Sequence, residues 1–239
     1  MAISPRKIAD NIQRLRDRIA QAASRSRRDP AGVQLVAVTK SAEPEDLRTL
    51  VELGVTDLAE SRVQQLIDRK AQLDEWLARR KSPVAVRWHM VGHLQRNKVK
   101  SVLECCCLIH SVDSLRLAEE IDARAAAAGI SMDVLLQVNC SQERQKFGVA
   151  VAAAPHLAEQ ISTLKNLRLL GLMTMAEQVS DPEQARPAFA RLRELFEEMR
   201  NDKIGGKVFC HLSMGMSQDF TVAVEEGATM LRIGTALLA

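Results

Sequence analysis

The chain has 239 residues, of which 46% are hydrophobic and 26% charged, and its formal net charge at pH 7 is +3. This composition is typical of a globular protein, and the length is enough for one large domain with a substantial core. It argues against a membrane-spanning protein, because no apolar run is long enough, and against a nucleic-acid-binding one, because only 3% of residues are aromatic.

The cysteines and the N-terminal residues indicate the compartment. Three of the five cysteines are adjacent, at positions 105–107, which suits neither a set of disulfides nor the spaced ligands of a zinc site. The first residues lack the apolar segment of a secretory signal. We therefore expect a cytoplasmic protein with reduced cysteines, no bound metal, and no nucleic-acid or membrane partner.

The first predicted element is an amphipathic helix. Apolar residues recur at helical spacing at Ile8, Ile12, Leu15 and Ile19, and the first 28 residues also hold eight lysines and arginines. We interpret the basic residues as the solvated face of an outer helix.

Eight short β-rich segments follow this helix in chain order. They cover 33–38, 56–60, 86–91, 108–112, 132–139, 167–173, 207–212 and 229–234. Helical patterns lie between them, over 44–53, 61–80, 114–128, 151–164, 181–200 and 217–226. Each predicted strand except the last is followed by a helix or a helix-like link. The pattern predicts an α/β fold, a (β/α)₈ TIM barrel preceded by an extra N-terminal helix.

No repeat or linker interrupts this alternation, so we expect a single domain over residues 1–239. Only "GTALLA" follows the last predicted strand, which indicates that the last helix is short or missing. A doubly wound open sheet is the alternative fold. It is disfavoured because no G-x-G-x-x-G motif follows an early strand.

Lys40 ends the apolar run "VQLVAVTK", at the C-terminal end of the first predicted strand. Burying its charge without a partner would be costly, so the simpler interpretation is a lysine that reaches solvent from the strand end. The alternative is an amine nucleophile, because active sites of this fold lie at the C-terminal ends of the strands.

The last two strand ends carry hydroxyls and glycines that suit a phosphate. "LSMGMSQDF" contains Ser213 and Ser217 before a helix, and "RIGTA" contains Gly234 and Thr235 after the last strand. The loops after strands seven and eight are the usual phosphate site of a TIM barrel. Arg232 faces the barrel interior by strand alternation and needs a partner there. An amine, a phosphate site and a buried cation together fit pyridoxal 5′-phosphate (PLP), and most of them also fit a phosphosugar bound by a Schiff-base lysine.

The motifs, taken in order, resemble those of the pyridoxal phosphate homeostasis protein family, whose members are similar to the N-terminal barrel of alanine racemase. They are "LVAVTK", "WHMVGHLQRNK", "HSVD", "QVN" followed by "KFG", "GLMTM", "LSMGMSQDF" and "RIGTA", and they extend from Leu35 to Ala236. The resemblance implies PLP held as an internal aldimine on Lys40. It also implies phosphate contacts from Ser213, Ser217, Gly234 and Thr235, and an Arg232 that faces the pyridine nitrogen. Asn139 and Met173 are candidates for the lining of the pocket.

The resemblance further implies a carrier or buffer that keeps vitamin B6 and amino-acid pools balanced, without robust catalysis and with no assigned catalytic residue. A PLP-dependent amino-acid racemase and, less favoured, a phosphosugar barrel enzyme are the alternatives. Partners would be PLP and amino acids, and a monomer is favoured over a dimer. The histidines at 89, 93, 110 and 211 lack metal-ligand spacing, so we interpret them as structural.

Two features depart from the family or from its racemase relatives. Ser61 and Arg62 replace an Asn-Tyr pair that the family usually carries in "FGENYVQE", in which the asparagine is expected near the PLP ring. The chain also contains no tyrosine, the residue that alanine racemase uses as one of its two acid/base groups. We therefore expect no efficient racemisation.

Overall fold

A computed structural model of the chain describes residues 3–141, 147–177 and 180–239, and the predicted barrel is confirmed in it. Eight parallel strands form a closed ring, because the last strand pairs with the first and the fourth pairs with the fifth. The ring strands are β1 Gln34–Val38, β2 Asp57–Glu60, β3 Arg87–Met90, β4 Leu108–Val112, β5 Met132–Asn139, β7 Leu167–Met173, β8 His211–Ser213 and β9 Met230–Ile233. A short strand, β6 Val149–Ala150, pairs with the end of β5 outside the ring.

Helices connect and cover these strands. In the described part of the chain they are α1 Pro5–Arg25, α2 Pro44–Glu52, α3 Val63–Arg79, α4 Val99–Leu103, α5 Leu115–Ala128, α6 Ala154–Ser162, α7 Arg186–Asn201, α8 Phe220–Glu225 and α9 Thr235–Leu238. The sequence did not predict α4. It also placed the start of α8 at 217, three residues too early, because residues 217–219 form a turn instead.

The strand predicted at 207–212 was misplaced. The observed strand is Ser213 and the two residues before it, while Gly206–Val208 forms a 3₁₀ turn. Gly205 and Gly206 have φ angles of +74° and +65°, a backbone conformation that glycine adopts readily and that turns the chain before the strand begins. The apolar pattern alone does not show this turn.

The helix α1 buries the apolar stripe that its spacing predicts. Its first turn is capped by the Ser4 hydroxyl, which accepts a hydrogen bond from the Lys7 amide at 3.3 Å. The buried face packs against α2, α8 and α9. Asn11 on that face donates its side-chain amide to the Leu237 carbonyl at 2.9 Å. Since α9 has only four residues, α1 covers the part of the barrel that a full eighth helix would cover. None of the described helices is long and apolar enough to cross a membrane.

The core has two layers, one between strands and helices and a smaller one inside the barrel. The inner layer contains Val36, Ala59, Leu108, Leu135, Met173 and Met230. Because side chains alternate along a strand, the register that buries Val36 inside the barrel brings Lys40 to the inner side at the barrel mouth. Thr39 between them keeps the strand pairing, since its amide bonds the Ala59 carbonyl at 3.0 Å.

Candidate functional site

Lys40 lies in the turn after β1, and its side chain is exposed. The backbone around it is held by Arg69 on α3. The guanidinium donates hydrogen bonds to the carbonyls of Thr39, Lys40 and Ala42, the last of them at 3.0 Å. A single arginine therefore fixes the backbone of the turn that carries Lys40.

Arg69 is itself held by a buried carboxylate, Glu60 at the end of β2. The side chain of Glu60 is 0% exposed and forms an ion pair with Arg69. Thr39 also donates its hydroxyl to Glu60, whereas the second carboxylate oxygen has no hydrogen-bond partner in the described structure. The stability of this buried charge thus depends on Arg69.

The two loops predicted to bind phosphate do lie together, and the second packs against the end of β1, the strand that precedes Lys40. The Ser217 hydroxyl accepts a hydrogen bond from the Ala236 amide at 3.1 Å, which joins the loop after β8 to the start of α9. A Cβ placed on Gly234 would lie 3.1 Å from the carbonyl of Val38, so the end of β9 packs against the end of β1. Ser217 is half-buried and Thr235 is exposed, so neither residue is closed off from solvent.

Arg232 lies below these loops, inside the barrel, with only 4% of its surface exposed. Its Nη1 donates to the Ser213 hydroxyl at 2.7 Å and its Nη2 donates to the Thr174 carbonyl at 2.8 Å. Burial lowers the pKa of Arg232 to about 10, and the charge of Asp219 acts in the opposite direction. No carboxylate of the described residues lies within 4 Å of the guanidinium, so this buried cation has only neutral partners.

Ser213 lies in the barrel interior, at the end of β8. It is fully buried, and its hydroxyl is engaged by Arg232 and by Nδ1 of His110, at 2.8 Å. Ser217, in contrast, is half-buried. Met173 is also fully buried, in the inner layer of the core.

The other candidate positions lie around the mouth. Asn139, at the end of β5, is half-buried, and its side-chain oxygen accepts a hydrogen bond from the Ser141 amide at 3.3 Å. Ser61 is half-buried, and the backbone of Gly92 packs so closely against its carbonyl that a Cβ there would lie 2.1 Å away. Arg62 is exposed, at the residue before α3.

Sequence reasoning missed the polar groups that fill the barrel interior below Arg232. His110 bonds Nδ1 of His89 at 3.0 Å through its Nε2, and Nε2 of His89 lies 3.0 Å from Asp57. All three are buried. Inward alternation along β2, β3 and β4 was the available signal, but it does not say which inward residues meet across the barrel. No group of three or more His, Cys, Asp or Glu among the described residues is arranged to hold a metal ion.

Comparisons with known proteins agree with the barrel fold. Residues 3–239 match the family model described as alanine racemase, N-terminal domain. A relative from Aquifex aeolicus named pyridoxal phosphate homeostasis protein is 38% identical over 228 residues, which cover 95% of this chain and 96% of the relative. The chain belongs to the pyridoxal phosphate homeostasis protein family. The resemblance read from the motifs is thereby confirmed.

Two solved structures resemble this family member over nearly its whole length. An unknown protein from Bifidobacterium adolescentis has a TM-score of 0.91 and 34% identity, and the match covers 100% of this chain and 98% of that one. PipY of Synechococcus elongatus PCC7942, solved with PLP bound, has a TM-score of 0.82 and 31% identity, with 97% of this chain and 100% of PipY covered.

Proposed function

We propose that this chain binds PLP at the barrel mouth and acts as a carrier or buffer of the cofactor in the cytoplasm. The observation that carries the proposal is the buried Arg232, a cation whose hydrogen-bond partners are neutral and which lies inside the barrel, below the loops joined by Ser217. The name of the Aquifex aeolicus relative and the PLP-bound structure of PipY support it.

The residues fit the three polar parts of PLP. When bound, PLP supplies an aldehyde, which a lysine amine joins with loss of one water, and a pyridine ring that takes up electron density. Lys40 would hold the aldehyde carbon, and Ser217, Gly234 and Thr235 would hold the phosphate. Arg232 would donate a hydrogen bond to the ring nitrogen, which accepts it without being protonated.

Three further residues complete the proposed pocket. Asn139 and Met173 would line it, one at the mouth and one at its floor. Ser213 would act on PLP through Arg232 and not through the phosphate, because its hydroxyl already bonds the guanidinium.

The chemistry of Arg232 favours a carrier over a racemase. An arginine does not readily release a proton, so it leaves the ring nitrogen unprotonated and the ring a weak acceptor of electrons. The chain also has no tyrosine to serve as the second acid/base group. Amino acids would then be slow-reacting partners, and the proposed form is a monomer.

Covalent attachment tests the site. Protein incubated with PLP is reduced with borohydride, digested and analysed by mass spectrometry. We expect a pyridoxyl group on the Lys40 peptide and none in Lys40→Ala. The exposed Lys98, which lies outside the proposed site, provides the control Lys98→Ala, in which labelling should be unchanged. Labelling of a different lysine, or of none, would contradict the proposal.

Deuterium exchange distinguishes a carrier from a racemase. Protein loaded with PLP is incubated with L-alanine and other L-amino acids in D₂O, and deuterium at Cα and the D-enantiomer are measured. We expect slow exchange as a side reaction at most. Turnover at or above about 1 s⁻¹, the low end for ordinary enzymes, would make the protein a racemase if Lys40→Ala abolished it.

A further inference from the structure

A continuous chain of hydrogen bonds crosses the barrel from Arg232 to the opposite end. We call it the interior relay; its members are Arg232, Ser213, His110, His89 and Asp57, joined at 2.7, 2.8, 3.0 and 3.0 Å in that order. Each member is at most 7% exposed. Four strands, β9, β8, β4 and β3, contribute the first four residues, and β2 contributes Asp57. The relay therefore links the proposed PLP site to residues that do not reach the mouth.

The direction of every hydrogen bond in the interior relay follows from its first member. A guanidinium only donates, so the Ser213 oxygen accepts from Arg232. The Ser213 hydrogen then goes to Nδ1 of His110, which must be unprotonated. His110 carries its proton on Nε2 and donates it to Nδ1 of His89, whose own Nε2 proton goes to Asp57.

The reverse arrangement is unfavourable. A proton on Nδ1 of His110 would give the Ser213 oxygen two donors and leave the Ser213 hydrogen without an acceptor among the described contacts. Burial also keeps the pKa of His110 well below its ordinary value, and the nearby charge of Arg232 acts in the same direction. At the far end, burial alone would raise the pKa of Asp57, but hydrogen bonds from His89 and Arg87 outweigh it and lower that pKa. The interior relay requires a neutral His110 and an ionised Asp57, in agreement with these directions.

We propose that His110 is a positioning residue for PLP binding, which acts through Ser213 to hold the Arg232 guanidinium in one orientation toward the ring nitrogen. By taking the Ser213 hydrogen, His110 leaves a lone pair of that oxygen for Arg232 and strengthens it as an acceptor. The proposal rests on the proposed function, because Arg232 must face PLP for the effect to be measured there. The new role is that of His110, which the spacing of the histidines indicated to be structural.

A pair of substitutions separates positioning from packing. His110→Phe keeps a ring in the core but removes the acceptor for Ser213, whereas His110→Asn keeps an acceptor close to the position of Nδ1. We expect His110→Phe to weaken PLP binding about tenfold, the usual scale for a hydrogen bond to a charged group, and His110→Asn to stay within about threefold of the wild type. Equal losses in both variants would overturn the proposal.

A double-mutant cycle tests whether His110 acts through Ser213. In the Ser213→Ala background the relay is already cut, so His110→Phe should add less than about a twofold loss of affinity, well short of additivity. The PLP analogue 1-deazapyridoxal 5′-phosphate, which lacks the ring nitrogen, provides a second test. It should bind to His110→Phe as tightly as it binds to the wild type. Full additivity in the cycle, or an undiminished loss with the analogue, would refute the route through Arg232.

The proton arrangement is tested without any ligand. Nitrogen NMR of the wild-type protein with ¹⁵N-labelled histidine should show Nδ1 of His110 unprotonated and Nε2 protonated. The opposite tautomer would overturn the relay, and this measurement stands even if His110→Phe fails to fold. If PLP does not attach to Lys40 at all, the proposed function fails, while the tautomer of His110 still decides the relay.

Discussion

Replacing Arg69 by methionine should destabilise the protein by about 3–5 kcal/mol, because it leaves the Glu60 carboxylate buried without its partner. The side chain of Glu60 is 0% exposed and that of Arg69 is 18% exposed, so water cannot take over the role of the guanidinium. The variant also loses the hydrogen bonds that Arg69 donates to the backbone on either side of Lys40. The variant should therefore be less stable and should also hold the Lys40 turn less firmly in position.

The expected loss of stability is large enough to measure by thermal unfolding as well as by urea unfolding. For a chain of this length each kcal/mol shifts the midpoint of thermal unfolding by about 2–4 °C, so Arg69→Met should unfold about 6–20 °C below the wild type. The rate of PLP attachment to Lys40, followed by visible absorbance, should fall as well. The fall has the same cause, since the turn would sample positions away from the mouth.

Arg79 provides a matched control on the same helix. It pairs with Glu75 at 2.5 Å, but their side chains are 76% and 65% exposed, so Arg79→Met should cost about 1 kcal/mol or less. A second comparison removes the negative charge of Glu60. In a Glu60→Gln background, Arg69→Met should destabilise the protein clearly less than it does in the wild type. The reasoning about the buried pair is wrong if Arg69→Met and Arg79→Met unfold at the same temperature. It is also wrong if the Glu60→Gln background does not reduce the loss of stability caused by Arg69→Met.

Three further predictions follow from single contacts. Ser217→Ala should weaken PLP about ten- to a hundredfold but pyridoxal, which lacks the phosphate, far less; equal losses in titrations of the two ligands would contradict the phosphate assignment. Gly92→Ala should destabilise by about 1–3 kcal/mol in urea unfolding, because the new Cβ would lie 2.1 Å from the Ser61 carbonyl, whereas Gly32→Ala, with nothing within 4 Å, should not. As the pH falls below 6.5, the unfolding free energy should decrease by up to about 1.4 kcal/mol per pH unit through His110, because burial depresses its folded pKa below 6.5 and only the unfolded chain takes up the proton. Urea unfolding across this range should lose that part of the slope in His110→Asn, and an unchanged slope would show that His110 is not the group responsible.

The local pattern of the sequence determined the architecture and the outline of the site. Alternating strand and helix periodicities predict a barrel, and the barrel places Lys40, Ser217, Gly234 and Thr235 at its mouth because each follows a strand. These inferences need only the residues next to each position. The misplaced β8 and α8 show the limit of such reasoning, because a glycine turn and a short turn before the helix override the apolar pattern.

Only the tertiary structure decided which of these residues share a contact. Ser213 and Ser217 have the same side chain and lie four residues apart. One is buried against Arg232, while the other bridges to the chain segment that follows β9. The hydrogen bond between Ser213 and His110 joins positions 103 residues apart, and the hydrogen bond from Arg69 to the Thr39 carbonyl joins positions 30 residues apart. The physical reason is closure of the barrel: strand periodicity says that a side chain points inward, but only the stagger of all eight strands sets which inward side chains meet.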